Sequence, residues 1–296
     1  MSILSLKNVV KQYHNHRAVD GVSFEVEKQK IFGLLGPNGA GKTSLIRIIT
    51  TITGADSGEI YIDGEKLSTH HPKDIGYMPE ERGLYKKMKV GEQLLYLSQL
   101  KGLSTKEAKE NIMHWLNKFE ITDWWNKKIE ELSKGMQQKI QFVATVVHNP
   151  KLIILDEPFT GLDPINTNLI KDEIAQLKAN GASIIFSTHR MEQVEEICED
   201  IVLINAGKVV LEGSVSEVKQ KFKENQFRIE FKGDRIPDFS GYNIISKDKN
   251  SVTIKLNPNT SGNEILKYAV QQGTLITAFN EILPSLNDIF IKQARS

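Results

Sequence analysis

The sequence predicts an α/β fold with a second, smaller α+β module toward its C-terminal end. Three observations carry that expectation. Short apolar runs alternate with helical patterns through the first ~220 residues, the mark of strands and helices packed in layers. A glycine-rich segment, Gly36–Thr43, lies between an apolar run and a helical pattern. Near Phe222–Asn225 the composition shifts, and strand patterns then crowd into the last ~70 residues, enough for a unit that folds by itself. The expected division is therefore 1–222 and 226–296.

Taken in order, Ile31–Gly36 reads as a buried strand and Lys42–Thr51 as the helix after it. Ile60–Asp63 and Ile75–Met78 read as short strands. From Val90 to Asn149 the texture is mostly helical, with Trp115, Trp124 and Trp125 and almost no β-branched runs. Strands return at Leu152–Asp156, Ser183–Ser187 and Ile201–Asn205, with helices between them. In the C-terminal module Gln226–Lys232, Tyr242–Ile245, Val252–Leu256 and Thr274–Phe279 read as strands. Gly262–Gln272 and Pro284–Lys292 read as helices, and no internal repeat is visible.

Composition narrows the function classes. Of 296 residues, 40% are hydrophobic and 25% charged, which excludes a disordered or low-complexity chain. Lysine plus arginine number 38 against 37 aspartate plus glutamate, so the net charge of +1 gives no support for nucleic acid as a partner. The single cysteine, Cys198, excludes an intrachain disulfide framework and fits a reducing compartment. No signal-peptide pattern opens the chain, and no stretch approaches the ~20 apolar residues of a membrane helix. The expectation is a protein that is cytoplasmic or peripheral to a membrane.

Gly36-Pro37-Asn38-Gly39-Ala40-Gly41-Lys42-Thr43 fits the phosphate-loop pattern G-x-x-x-x-G-K-[ST], with a strand before it and a helix after it. Polyphosphate needs converging backbone N–H donors and a helix N-terminus, and glycines let the backbone come close. Lys42 supplies a point charge for the β- and γ-phosphates, and the Thr43 hydroxyl is a candidate ligand for Mg²⁺. Ordinary residue usage produces the pattern by accident in about 1% of chains this long.

Leu152–Pro158 is an apolar strand that ends in Asp156 and Glu157. Beside a phosphate cradle, Asp156 is a candidate metal ligand and Glu157 a candidate base for an attacking water. Alone, such a pair also finishes a strand in a polar turn. His189, after the run Ser187-Thr188, ends a third strand, where it would hydrogen-bond a γ-phosphate oxygen and position water.

With these residues in place, the chain resembles the ABC-type ATPases. Leu132-Ser133-Lys134-Gly135-Met136-Gln137-Gln138 is similar to their signature loop, and Gly161-Leu162-Asp163-Pro164 to their D-loop. The match runs from about residue 2 to residue 217. It implies a P-loop core with an antiparallel β subdomain and a helical subdomain near 85–150, working as a head-to-tail dimer. ATP and Mg²⁺ would bind at Gly36–Ser44, including Pro37, Asn38, Gly39, Ala40, Gly41, Lys42, Thr43 and Ser44, with Tyr13 against the adenine. Ser133 and Gly135 of the other copy would cap the nucleotide, and Asp163 would couple the two sites. The helical subdomain would grip a separately encoded polytopic permease at the cytoplasmic face of the membrane. Trp124 and Trp125 are candidates for that surface, with helix packing the alternative.

Two departures stand out. Lys134 and Met136 replace the commonest signature residues, while Ser133 and Gly135 remain. In Tyr77–Tyr85, Glu80 stands where the family usually has a glutamine that contacts the metal. A carboxylate still ligates Mg²⁺, but its charge opposes phosphate when no metal is present. The run Pro79–Tyr85, the signature and the ending Leu283–Phe290 resemble the ATPases of bacterial sodium-extrusion (NatA-type) and YhaQ-like export systems. The leading expectation is thus an ATPase subunit of an exporter. The alternative is a non-transport ABC ATPase acting on ribosomes or DNA, against which stand one cassette per chain and a near-neutral charge.

Overall fold

The computed structural model describes residues 1–81, 83–232, 238–257 and 260–295, with 294 and 295 described by backbone only. Arg82, within the Tyr77–Tyr85 run, lies outside the described residues. The chain divides into two compact units, Met1–Val215 and Ser216–Ser296.

In the first unit, β1 (Ser2–Tyr13) and β2 (His16–Glu27) form a long hairpin. Then come β3 (Ile31–Leu35), α1 (Lys42–Ile49), β4 (Ser57–Ile62), β5 (Glu65–Lys66) and β6 (Ile75–Met78). The helical stretch holds α2 (Val90–Leu100), α3 (Thr105–Lys118) and α4 (Lys134–Val146). The chain continues through β7 (Leu152–Asp156), α5 (Pro164–Ala179), β8 (Ser183–Thr188), α6 (Met191–Ile197), β9 (Asp200–Asn205) and β10 (Lys208–Ser214). Helix α7 (Val215–Lys221) begins at the division between the units.

The central sheet has the order β10-β9-β3-β8-β7-β6, and every pair except β9–β10 is parallel. Strands β3 and β7 and all of β8 are buried along their whole length, as expected of a parallel sheet covered on both faces. That is why these strands appear in the sequence as unbroken apolar runs. One consequence positions the site: the carboxyl ends of β3, β6, β7 and β8 all lie at one edge of the sheet, where open α/β sheets bind ligands.

A second sheet, β2-β1-β4-β5, is antiparallel. Its hairpin turns at His14, which takes a left-handed φ of 46°. The hairpin was not evident from periodicity. In β1, register shifts between the Leu6 and Val9 pairs, and again at Lys11, accompany a loss of the alternation that marks a half-buried strand, whereas β2 keeps it over Val22–Glu27. Strand β4 starts earlier than expected, at Ser57, because its first three residues are exposed and carry no apolar signal.

The helices follow from their sequences. Ser104 caps α3, accepting from the Glu107 amide while Glu107 accepts from the Ser104 amide, a reciprocal capping box. Ala108, Ile112, Trp115 and Leu116 form its buried stripe. Trp115 meets Phe119 and Phe142 with ring centres 5.7 and 6.0 Å apart. Trp125 packs against Gly91 at the start of α2, where even a methyl group would sit 2.4 Å from its ring. Helix packing therefore accounts for Trp125.

His148 is held beside β6, with Nε2 3.4 Å from the Ile75 carbonyl and Nδ1 buried without a hydrogen-bond partner. Burial, helped by the neighbouring Lys101 charge, pulls its pKa down to about 4. Below the unfolded value near 6.5 only the unfolded chain takes up this proton, so stability falls with pH until about 4. The group should remove about 2 kcal/mol between pH 7 and pH 5. Urea unfolding of His148→Gln at the two pH values should show a correspondingly smaller loss; an equal loss would contradict this account.

The second unit is a small α+β fold. Strands β11 (Gln226–Lys232), β12 (Asn243–Lys247), β13 (Ser251–Lys255) and β14 (Leu275–Ile282) form an antiparallel sheet in the order β12-β13-β11-β14. Helix α8 (Gly262–Gln271) buries Ile265 and Ala269 with Ile229, Phe231, Phe239, Val252 and Ile254. Helix α9 (Leu286–Arg295) ends the described chain.

Candidate nucleotide site

At the carboxyl end of β3 the chain enters the loop that leads into α1. Gly36 has φ 149° and Gly41 φ 110°, and a Cβ at either would lie 2.2 Å from a carbonyl oxygen, of Ile204 and Ala18 respectively. Only glycine fits there, so the loop is pressed against β9 and the hairpin. Gly41 opens α1 with no side-chain cap and no acidic residue in the first turn, leaving the helix N-terminus open to an anion.

Lys42 is buried, and its ammonium donates to the carbonyls of Gly36 (2.7 Å) and Pro37 (3.1 Å). Burial lowers its pKa, and the charges of Asp156, Glu157 and Glu80 oppose that shift. Thr43 is exposed at the loop surface. A cavity of about 390 Å³ joins Asn38–Ser44 to Tyr13, His16, Ala18, Glu80, Asp156, Glu157 and His189. The hairpin tip thus brings Tyr13, 39% exposed, to the cradle from a part of the chain far from the loop in sequence.

The register of β7 against β8 sets Ser187 opposite Asp156. Ser187 Oγ donates to the buried Asp156 carboxylate at 2.7 Å. Burial raises the Asp156 pKa, and the Glu80 and Glu157 charges add to the rise, while Ser187 and Lys42 act against it. One residue on, Glu157 is buried and has φ 51°, a strained conformation for a residue with a side chain. Its Oε1 accepts from the His189 amide (2.9 Å) and pairs with His189 Nδ1 (2.6 Å), while Oε2 accepts from Thr188 Oγ1 (3.1 Å). His189 therefore rests on Glu157, a contact that the sequence reading, which aimed it at phosphate, did not include. Oε2 keeps a lone pair for water.

Thr43, Asp156 and Glu80 offer only hard oxygen donors, and three carboxylates lie around one small space. That donor set fits Mg²⁺.

Ser133, Gly135 and Asp163 do not line this cavity. Ser133 is the exposed cap of α4, accepting from the Met136 amide. Asp163 is the exposed cap of α5, and the Asn166 amide it accepts from holds its carboxyl below the usual range. Gln138 and Gln141 of α4 reach back: their amides donate to the carbonyls of Pro158 (2.8 Å) and Pro79 (2.7 Å). Ser187, Thr188, His16 and Gln141 were not among the expected site residues, and Gln138 entered only as part of the signature segment. The two hydroxyls had one signal, their place at the end of an apolar run just before His189.

Elsewhere among the described residues, ligand atoms of Glu65, His70 and His71 lie within 4.8 Å of one another. The Ser68 amide donates to His71 Nδ1 at 3.1 Å, while His71 Nε2 lies 3.9 Å from Glu65, beyond hydrogen-bond reach. The cluster is a polar contact of the β-subdomain.

With this geometry, the family matches gain structural meaning. The ABC transporter family model matches residues 19–160, and the model for the C-terminal domain of DrrA1-3-like ATP-binding proteins matches 213–294. The ABC transporter ATP-binding protein YhaQ of Bacillus subtilis is 43% identical over 98% of both chains. The chain belongs to the ABC transporter ATP-binding proteins. NatA of the same organism is 36% identical over 68% of this chain and 84% of its own. The lipopolysaccharide export system ATP-binding protein LptB of Haemophilus influenzae is 32% identical over 77% and 100%. Among solved structures, the dimeric post-hydrolysis state of the cassette MJ0796 bound to ADP and Pi superimposes with a TM-score of 0.66 at 25% identity, covering 72% of this chain and 98% of the other. This ABC cassette binds ATP and hydrolyses it.

Proposed function

We propose that this cassette is the ATPase subunit of a bacterial exporter, working as a head-to-tail dimer on a separate polytopic permease. The observation that carries the reading is the division of the site: the cavity gathers the loop, Asp156, Glu157 and His189, while the exposed Ser133 and Asp163 and the half-buried Gly135 lie outside its lining. A second copy presenting Ser133 and Gly135 would complete it, and the dimeric MJ0796 cassette supports that arrangement. Export is supported by the likeness to LptB, the ATP-binding protein of a lipopolysaccharide export system. Sodium is the cargo class that the NatA-type likeness suggests, and cargo is set by the permease.

In this reading the amides of Gly36–Ser44 and Lys42 hold the triphosphate, and Tyr13 covers the adenine. Thr43, Asp156 and Glu80 would hold Mg²⁺, which when bound neutralises charge on the phosphate oxygens. Glu157 takes a proton from water as its oxygen attacks the γ-phosphorus; the β–γ bridge breaks, and ADP and phosphate leave. His189, paired to Glu157, keeps that carboxylate in place. ATP and ADP favour different dimer states, and this difference is what drives the permease.

For the permease, a groove of about 350 Å³ is lined by Ile52, Tyr77, Pro79, Leu84, Leu97 and Leu100, with Tyr85 and Tyr96 exposed nearby. Among the described residues no helix is long and apolar enough to cross a membrane, so the spanning part would belong to the partner. The test is capture by tagged Glu157→Gln protein from detergent-solubilised native membranes with ATP and Mg²⁺, followed by mass identification. Recovery of a polytopic protein supports the proposal. Recovery of ribosomes or of soluble proteins alone would overturn the transporter reading.

A further inference from the structure

We infer that Glu80 couples nucleotide binding to the metal, so that its carboxylate rejects ATP without a divalent cation and accepts ATP with one. The inference rests on the nucleotide reading of the cavity. Three carboxylates, Glu80, Asp156 and Glu157, face a space in which Lys42 is the one permanently positive side chain among the described lining residues. Two of them are already engaged: Asp156 accepts from Ser187, and Glu157 accepts from Thr188 and His189. Glu80 is exposed, and no hydrogen bond or ion pair ties it to another described side chain. Its charge is therefore directed at whatever enters the cavity.

A triphosphate carries like charge, and at the few-ångström separations of a small cavity one extra carboxylate changes affinity by about tenfold. A divalent cation reverses the sign, because a carboxylate is a better ligand for it than an amide. The same residue thus opposes the metal-free nucleotide and favours the metal-bound one. It would also speed the departure of ADP once the metal has gone.

The experiment is calorimetric titration of ATP into wild type, Glu80→Gln and Glu80→Asp, in excess EDTA and in excess MgCl₂. Glu80→Gln should bind metal-free ATP about tenfold more tightly than wild type while binding Mg²⁺–ATP no more tightly. Glu80→Asp, which keeps the charge, should show no such gain in affinity for metal-free ATP. If Glu80→Gln gains nothing in EDTA, or if both affinities move by one factor as for a merely structural residue, the inference is overturned. Wild type that binds no ATP even with Mg²⁺ would instead refute the nucleotide reading beneath it.

Discussion

ATP turnover by Glu157→Gln should fall at least ~100-fold, the low end of what a positioned general base contributes, while ATP affinity stays within about twofold. Both halves of the expectation come from geometry. Glutamine has the shape of glutamate, so its oxygen can replace Oε1 in accepting from the His189 amide and ring. Its NH₂ would meet Thr188 Oγ1, a hydroxyl that can turn to accept. The backbone at φ 51° needs no rearrangement. What disappears is the lone pair that receives the proton of water. Steady-state phosphate release and equilibrium binding, measured on the same preparation, check the two halves. Normal hydrolysis would show that Glu157 is not the base.

Lys42→Ala should have the larger effect on binding. Removing the ammonium leaves three carboxylates around the cavity without a permanent counter-charge among the described lining residues. Truncating one member of such a buried charge arrangement costs about 3 kcal/mol, or roughly 100-fold in affinity. Turnover should vanish with it. The carbonyls of Gly36 and Pro37 also lose their donor, so the loop itself should loosen. Titration of ATP with Mg²⁺ reads the first effect, and wild-type affinity in this variant would refute the cradle assignment.

How far the sequence revealed these parts depended on which physics fixed them. The buried parallel strands were legible because burial on both faces demands unbroken apolar residues, as in Leu152–Leu155. The loop was legible because Gly36 and Gly41 occupy places where a Cβ would strike a carbonyl, and that need fixes residue type. Strand β1 was not, since its burial loses the alternation where its register shifts, although its partner β2 alternates over Val22–Glu27. Ser187 and Thr188 were hidden for another reason. Their hydroxyls matter only through the pairing of β7 with β8, and register between distant strands leaves no local trace. The Glu157–His189 contact depends on the same pairing, so both residues were found but not their partnership. In the helical stretch, the place of Trp125 followed from the absence of a side chain at Gly91, which neither residue advertises alone.

The central claim is that two copies share each nucleotide site, and its most direct test is the mass of purified Glu157→Gln in solution. Light scattering coupled to gel filtration should give the 33.4 kDa monomer without nucleotide and about twice that mass with saturating ATP and Mg²⁺. ADP should not produce the change. A chain that remains monomeric with ATP bound would contradict the shared site and, with it, the ATP-driven closure proposed to move the permease.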